Sequence, residues 1–542
     1  MLAPAGLPAG SPATQSPEQG APTRLPDFIV TAAPDGLPWE HGECDGIEIL
    51  TLCSAELTNT YVAALQRGRH LVPAPFLGER SQPMVALLFD LNRTGKAPAP
   101  PAVAIKSGSP RLGHGWRGAA GRITQAEDDT LVSASGFDRT TEWTDIDPFW
   151  LAHSFAATTP PPARWLGEGL FGDYGFFQEL GRYPHEDKLR LASLFWRSEA
   201  QTAALKRKDT PDPVLLPWAD FFNQPPPDRA AAAEDWSLWQ AQAVLFARWA
   251  LLADKTPAVA APEFWQFAYA ARRRQVTEDD FRRVFHRDYA TATKDILAYL
   301  RVAVRAPEDF NVPGLHRVAA RQTLHLRPAT EVEIARLKGN FERMEANRLR
   351  ADFPELAAQY ETAARRTLKR GLRLGGDDPQ VRAVLGLLEY DAGHPAEARP
   401  HLEAAFAAQA AGTRGLLALA RLRLADMRIG LPSEGKLPAE ALDRVLPPLF
   451  AARERRPASA DVYLAIADIW AQSQTTPTQG HLAVLREGAT LFPDHVDLLW
   501  HAAKLHQQHG YDAEALALAA QGEKATRDPA QRAKFTALLS PQ

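Results

Sequence analysis

The spacing of hydrophobic and polar positions changes along the chain, and each change predicts a different kind of element. "DFIVTAA" and "GIEILTLCS" are short β-rich runs. "AELTNTYVAALQRGRHLV" follows with apolar residues at three- and four-residue steps, the spacing of one helix face. "PMVALLFD", Pro83 to Asp90, is a continuous apolar run bounded by proline and Asp-Leu-Asn, which predicts a strand buried on both faces. "RITQAEDDTLVSASGF" reads as two strands joined by a turn at Glu127 to Asp129. Residues 27–146 are therefore expected to form a small α/β layer.

From residue 147 to 302 the period becomes helical. "DPFWLAHSFAA" opens on an Asp-Pro pair suited to a helix start. "WSLWQAQAVLFARWALLAD" places Trp239, Ala243, Phe246 and Ala250 along one face. "APEFWQFAYAARRR" follows, and then "TEDDFRRVFHRDYATATKDILAYLRVAV", which begins with Thr277 and acids that suit a helix N-terminus. Residues 303–340 read as a connector with the extended piece "VPGLHRVAARQTLHLRPATEVE".

Residues 341–542 carry an internal repeat. "DPQVRAVLGLLEYDAGHPAEARPHLEAAF" has Leu385-Gly386, Gly393, Ala398, Leu402 and Ala405 where paired helices would cross closely. Ala420 lies 34 residues after Gly386, and Ala467, Ala503, Gly510 and Ala515 continue the register. One unit carries an insertion, "RIGLPSEGKLP". The pattern resembles tetratricopeptide units of about 34 residues and implies a short all-α solenoid of three to four units, against the plainer alternative of an irregular helical bundle.

Composition narrows the classes. At 542 residues the chain suggests two to four domains. A formal net charge of −4, with no polybasic tract, predicts no nucleic-acid partner. No apolar run reaches the length of a membrane-spanning helix. Residues 1–26, rich in Pro, Ala, Gly and Ser, read as a disordered leader or as what remains of a trimmed signal, so the compartment, cytoplasmic or exported, stays open. The cysteines, Cys44 and Cys53, are expected to be separate thiols, because pairing them directly requires a tight reversal at Asp45-Gly46.

Candidate chemistry lies in "LAHSFAATTPPPARWLGEGLFGDY". The segment is similar to bacterial gluzincin-like families related to peptidase MA, with an "AHExxH" helix, a Pro-containing link and "WLxEGLAxY". The likeness places His153 on the first histidine, Ser154 on the glutamate, Ala157 on the second histidine and Glu168 on the third ligand. Trp165, Gly169, Leu170 and Tyr174 match or lie near flanking positions, and weaker echoes extend the resemblance over residues 26–302. The resemblance implies a zincin-like domain, which in those families often precedes tetratricopeptide repeats.

The departures argue against catalysis. Catalytic zinc takes three protein ligands and one open position. Ala157 cannot ligate, which leaves His153 and Glu168, and Ser154 cannot shuttle a proton as a carboxylate does. Asp145, Asp147, His185 and Glu186 are substitutes by proximity alone. The plainer readings are a packed His153 and a Glu168 that caps a helix. Of His501, His506 and His509, only the last two share a helix face closely enough for a two-ligand surface site. Trp236, Trp239, Trp249 and Trp265 read as core, and "RRR" at 272–274 and "RERR" at 453–456 as solvated helix ends. No Gly-rich phosphate loop or nucleophile triad is found.

The expectation is an α+β protein: a small α/β N-terminal layer, a helical zincin-like half, and an all-α tetratricopeptide solenoid that binds a protein or peptide. No cofactor is expected. The alternatives are a metallohydrolase with an unorthodox ligand set, zinc held by His153 and Glu168 among others, and a cell-envelope scaffold.

Overall fold

The computed structural model describes residues 38–44, 46–69, 72–90, 122–137, 152, 154–155, 158, 162–172, 213–252, 262–303, 324–429, 431–432, 435–526 and 528–539. "DFIVTAA" lies outside them. Six strands form one mixed sheet: β1 (Glu40–Cys44), β2 (Ile47–Thr51), β3 (Met84–Asp90), β4 (Arg122–Glu127), β5 (Thr130–Phe137) and β6 (Arg327–Pro328), in the order β4-β5-β3-β2-β1-β6. β2, β3 and β5 run parallel, and β1, β4 and β6 pair antiparallel to their neighbours. "MVALLF" in β3 is buried throughout, as a central strand between two parallel neighbours requires.

Helix α1 (Ala55–Arg69) carries the chain from β2 towards β3. Gly46, at φ 74°, makes the β1–β2 reversal, a conformation that favours glycine. Cys44 pairs with Ile47 beside this turn, whereas Cys53 lies beyond Thr51, which pairs with Glu40 at the far end of the hairpin. The two buried thiols therefore sit at opposite ends of it.

The helical half contributes α2 (Arg164–Phe171), α3 (Trp218–Asn223), α4 (Ala233–Leu252), α5 (Pro262–Ala271), α6 (Glu278–Phe285) and α7 (Tyr289–Ala303). Helix α4 is buried on every side from Trp239 to Trp249, not along a single face, which makes it the axis of this half. Trp239, Trp249 and Trp265 are buried and Trp236 packs against the same core, as expected. The run beginning at Thr277 departs from the expectation of one helix. A capping box starts α6: Thr277 Oγ1 accepts from Asp280 N–H at 3.2 Å and Asp280 Oδ2 accepts from Thr277 N–H at 3.0 Å. His286 at φ 55° then ends it, and α7 starts three residues later. Nothing in the apolar spacing marks that left-handed residue.

Helices follow in antiparallel succession from the sheet's edge: α8 (Glu331–Leu349), α9 (Pro354–Gly375), α10 (Pro379–Asp391), α11 (Pro395–Ala407), α12 (Thr413–Arg428), α13 (Ala439–Arg453), α14 (Ala460–Ala471), α15 (Gln479–Leu491), α16 (Val496–Gln508), α17 (Asp512–Ala525) and α18 (Pro529–Leu539). Residues 324–330 are extended, but helix begins at Glu331, inside the stretch read as connector. The first helices α10, α12, α14 and α16 start at steps of 34, 47 and 36 residues, the long step holding the insertion.

A shift of 117 residues lays Pro379 on Val496, Gly386 on Ala503, Gly393 on Gly510 and Ala398 on Ala515. Gly393 and Gly510 have φ of 81° and 76°, so the two pairs turn alike. At Gly386 an added Cβ would lie 2.8 Å from Leu402 Cγ, and the helices cross there without room for it. These are tetratricopeptide-like helical repeats joined to a small mixed sheet, an α+β arrangement. The end of the insertion bonds to the loop after α14: Leu437 N–H donates to Gln472 O at 2.7 Å, and Gln474 N–H donates to Leu437 O at 2.9 Å.

Candidate functional site

The motif segment is placed in part. His153, Ala157, Tyr174, Asp145, Asp147, His185 and Glu186 lie outside the described residues. Ser154 is buried in a helical turn, and its carbonyl accepts from Gly78 N–H at 3.1 Å. Phe155 beside it stacks on Phe76 with ring centres 5.7 Å apart. On α2, Glu168 Oε1 accepts a hydrogen bond from Gln240 Nε2 of α4. That neutral donor comes from the helix the "WLGEGL" segment packs against.

Trp165, Leu166, Gly169 and Leu170 form the buried face of α2. Trp165 lies 5.3 Å from the Phe222 ring and 5.4 Å from Phe246. An added Cβ on Gly169 would meet Ala243 O at 2.5 Å, so a side chain there would force α2 and α4 apart. Much of what reads as a signature is the packing of two helices.

Among the described residues, His41, Glu43 and Glu48 bring three potential ligand atoms within 4.8 Å of one another. Their surroundings do not fit a cation. Arg336 of α8 grips Glu48 with both guanidinium nitrogens, one at 2.7 Å from Oε2, and His41 Nε2 lies 2.8 Å from Oε1. Burial pushes the Glu48 carboxyl up, but the bonds from His41 and Arg336 outweigh it and hold it below the usual range. Glu333 stands 3.6 Å from His41 Nδ1 and is itself drawn down to about 2, chiefly by Arg327. The cluster is an ion-paired joint between the sheet and α8. A glutamate inside the apolar run of "GIEILTLC" was its signal in the sequence.

A second joint involves the face of the repeats. The β4–β5 turn reaches the first helices α8, α10 and α12 and encloses with them a cavity of about 90 Å³. Glu127 at the end of β4 pairs with Arg343 of α8 and lies 3.7 Å from Arg414 of α12. Arg343, only 1% exposed, also donates to Asp391 Oδ2 at 2.9 Å, and Arg414 donates to Asp391 Oδ1 at 2.9 Å. Burial raises the Asp391 carboxyl, but the two guanidinium charges overcome this and keep it low.

Asp129 Oδ2 accepts from Thr413 N–H at 3.2 Å, at the start of α12, where the preceding Gly412 has no side chain to cap with. Asp128 lies against Ser459, the N-cap of α14. Each acid of the turn thus meets the N-terminus of a different repeat helix. Burial pushes both carboxyls above their ordinary range, against the pull of Ser459 on Asp128 and of the Thr413 amide on Asp129.

The remaining candidates resolve as structural groups. His506 is buried, with Nδ1 2.8 Å from Ala502 O, and burial lowers its pKa. It does not present a surface pair with His509. His501 instead lies 3.3 Å from Asp468 on the neighbouring first helix. The arginine runs do more than end helices in solvent. Arg272 donates to Pro75 O at 2.7 Å, Arg274 forks onto Asp280, and Arg455 donates to Gln409 O and Ala411 O at 3.0 Å. Ser81 N–H donates to Arg456 O at 2.7 Å, tying the sheet to α13.

No family model matches the chain, and no curated protein matches it. Among solved structures it is similar to a thermophilic tetratricopeptide-repeat protein of Thermus thermophilus, TTC0263, at 22% identity. That match covers 36% of this chain and 98% of the other, with a TM-score of 0.25. The tetratricopeptide-repeat domain of P58(IPK) matches at 14% identity over 65% of this chain and 98% of that one, with a TM-score of 0.15. Overlaps this loose identify no residue and no partner. No described helix is long and apolar enough to cross a membrane.

Proposed function

We propose that the chain is a binding protein, not a catalyst: a non-catalytic zincin-like domain joined to tetratricopeptide-like repeats that hold a protein or peptide. The observation that carries this reading is the shared face of the first helices. Leu387, Arg421, Asp468 and Lys504 each stand eight residues into α10, α12, α14 and α16, so one strip of side chains runs across four repeats. Arg421 and Lys504 are exposed on it. Such a strip suits an extended segment, since it offers successive contacts at a repeat spacing.

The test uses the full chain as bait beside an Arg421→Glu/Lys504→Glu variant. Proteins retained by the parent and lost by the variant support the reading. An identical retained set, or nothing above background, sinks it. Metal analysis addresses the zincin half: one equivalent of zinc in the parent that disappears in His153→Ala would overturn the reading of that half as a metal-free, non-catalytic domain.

A further inference from the structure

We propose that the β4–β5 turn is a tethered ligand of the repeats, seated across the first-helix face and displaced when an acidic extended segment of a partner binds there. The inference rests on the reading of that face as a binding surface. Three consecutive residues of the turn make three different contacts with the repeats. Glu127 engages Arg343 on α8 and faces Arg414 on α12, Asp128 lies against Ser459 at the start of α14, and Asp129 takes the Thr413 N–H at the start of α12. An extended acidic peptide crossing the helices would make the same kinds of contact, with guanidinium groups and helix N-termini as its receptors.

The sheet does not require these acids for its own turn. A two-residue hairpin connection is served as well by Asn-Gly, and Asp128 already holds the positive φ, 43°, that such turns use. Asp129 is buried against the repeats to 1% exposure, and Asp128 beside it is half-buried. Withdrawing a carboxylate from water is costly unless it is received, and Asp129 finds its receptor in the Thr413 amide of a repeat helix. Held in the same chain, the turn competes at a high effective concentration and lowers the apparent affinity of any added ligand for the same receptors.

The test uses a fluorescent peptide of residues 122–137 and three forms of the full chain. The parent keeps its turn in place. Asp128→Lys/Asp129→Lys expels it by charge, and Asp128→Asn/Asp129→Gly removes both acids while favouring the hairpin. The released forms are expected to bind the peptide roughly tenfold or more tightly than the parent, given the effective concentration of a tethered segment. Exchange of the Thr413 amide should quicken in both and slow again on adding peptide. If the lysine variant fails to fold, the Asn-Gly variant carries the comparison. Equal peptide affinity in parent and folded variant, or no binding to either folded variant, overturns the inference. That failure leaves the capture experiment unaffected, because Arg421 and Lys504 lie outside the contacts of the turn.

Discussion

The joint between sheet and repeats rests on Arg343, and its removal has a size that the structure sets. The guanidinium is 1% exposed and answers Glu127 from the sheet and Asp391 from α10, which is 5% exposed. Arg343→Met keeps much of the volume but strands two carboxylates with Arg414 as the cation still beside both. Breaking a buried pair by removing one partner costs about 3–5 kcal/mol. Glu127→Gln alone should cost less, since Arg343 keeps Asp391. Because the two changes share one network, the cycle should show a coupling of about 1–3 kcal/mol. Urea unfolding of the parent, both single variants and the double variant, followed by far-UV circular dichroism, measures it. If the losses add within about 0.5 kcal/mol, Glu127 and Arg343 do not meet and the docking of the turn is refuted with them.

Gly169→Val should lower stability by about 1–3 kcal/mol through overpacking of α2 on α4, read as a lower melting temperature. Thr277→Ala removes one half of the α6 capping box and should cost about 1 kcal/mol in the same assay, with Thr277→Ser restoring most of it. Glu389 is drawn to about 2 from its ordinary 4.5, mainly by Arg365 and further by His394. A carboxyl lowered by folding stabilises fully above 4.5 and loses that contribution as pH falls from 4.5 towards 2. Acid titration of unfolding should therefore fall less steeply across that window in Arg365→Met than in the parent, and equal slopes would contradict the pairing.

Elements built on a strong apolar period were legible in the sequence. β3, the β4–β5 hairpin, α1, α4 and the repeat register at Gly386, Ala420, Ala467 and Ala503 all follow from spacing and small residues. What escaped depends on partners far away in the chain. Glu48 and Arg336 are 288 residues apart, Asp129 and Thr413 284, so no local window contains either contact. β6 is two residues long and exists because β1 offers an edge to Arg327 and Pro328. In the candidate motif, the described residues are held by partners that the motif's own letters do not reveal. Glu168 is held by Gln240 and Gly169 by the backbone of α4, and both partners lie about 70 residues on. Asp128 and Asp129 looked like ordinary turn residues, since the same letters serve a solvent-exposed hairpin and an acid seated on a helix end.

The seating of Asp128 and Asp129 at the starts of α14 and α12, the first helices of two neighbouring repeats, also fixes a length. Thr413 and Ser459 come within reach of one turn only if α12 and α14 keep their present phase and separation. Repeat arrays ordinarily grow or shrink by whole units, because each unit needs only its neighbours. Here an extra helix pair inserted between α11 and α12 would carry Thr413 away from the hairpin while α8 stayed fixed to Glu48. The sheet thus gauges the array from its side, and the number of units before α12 cannot drift without breaking that match.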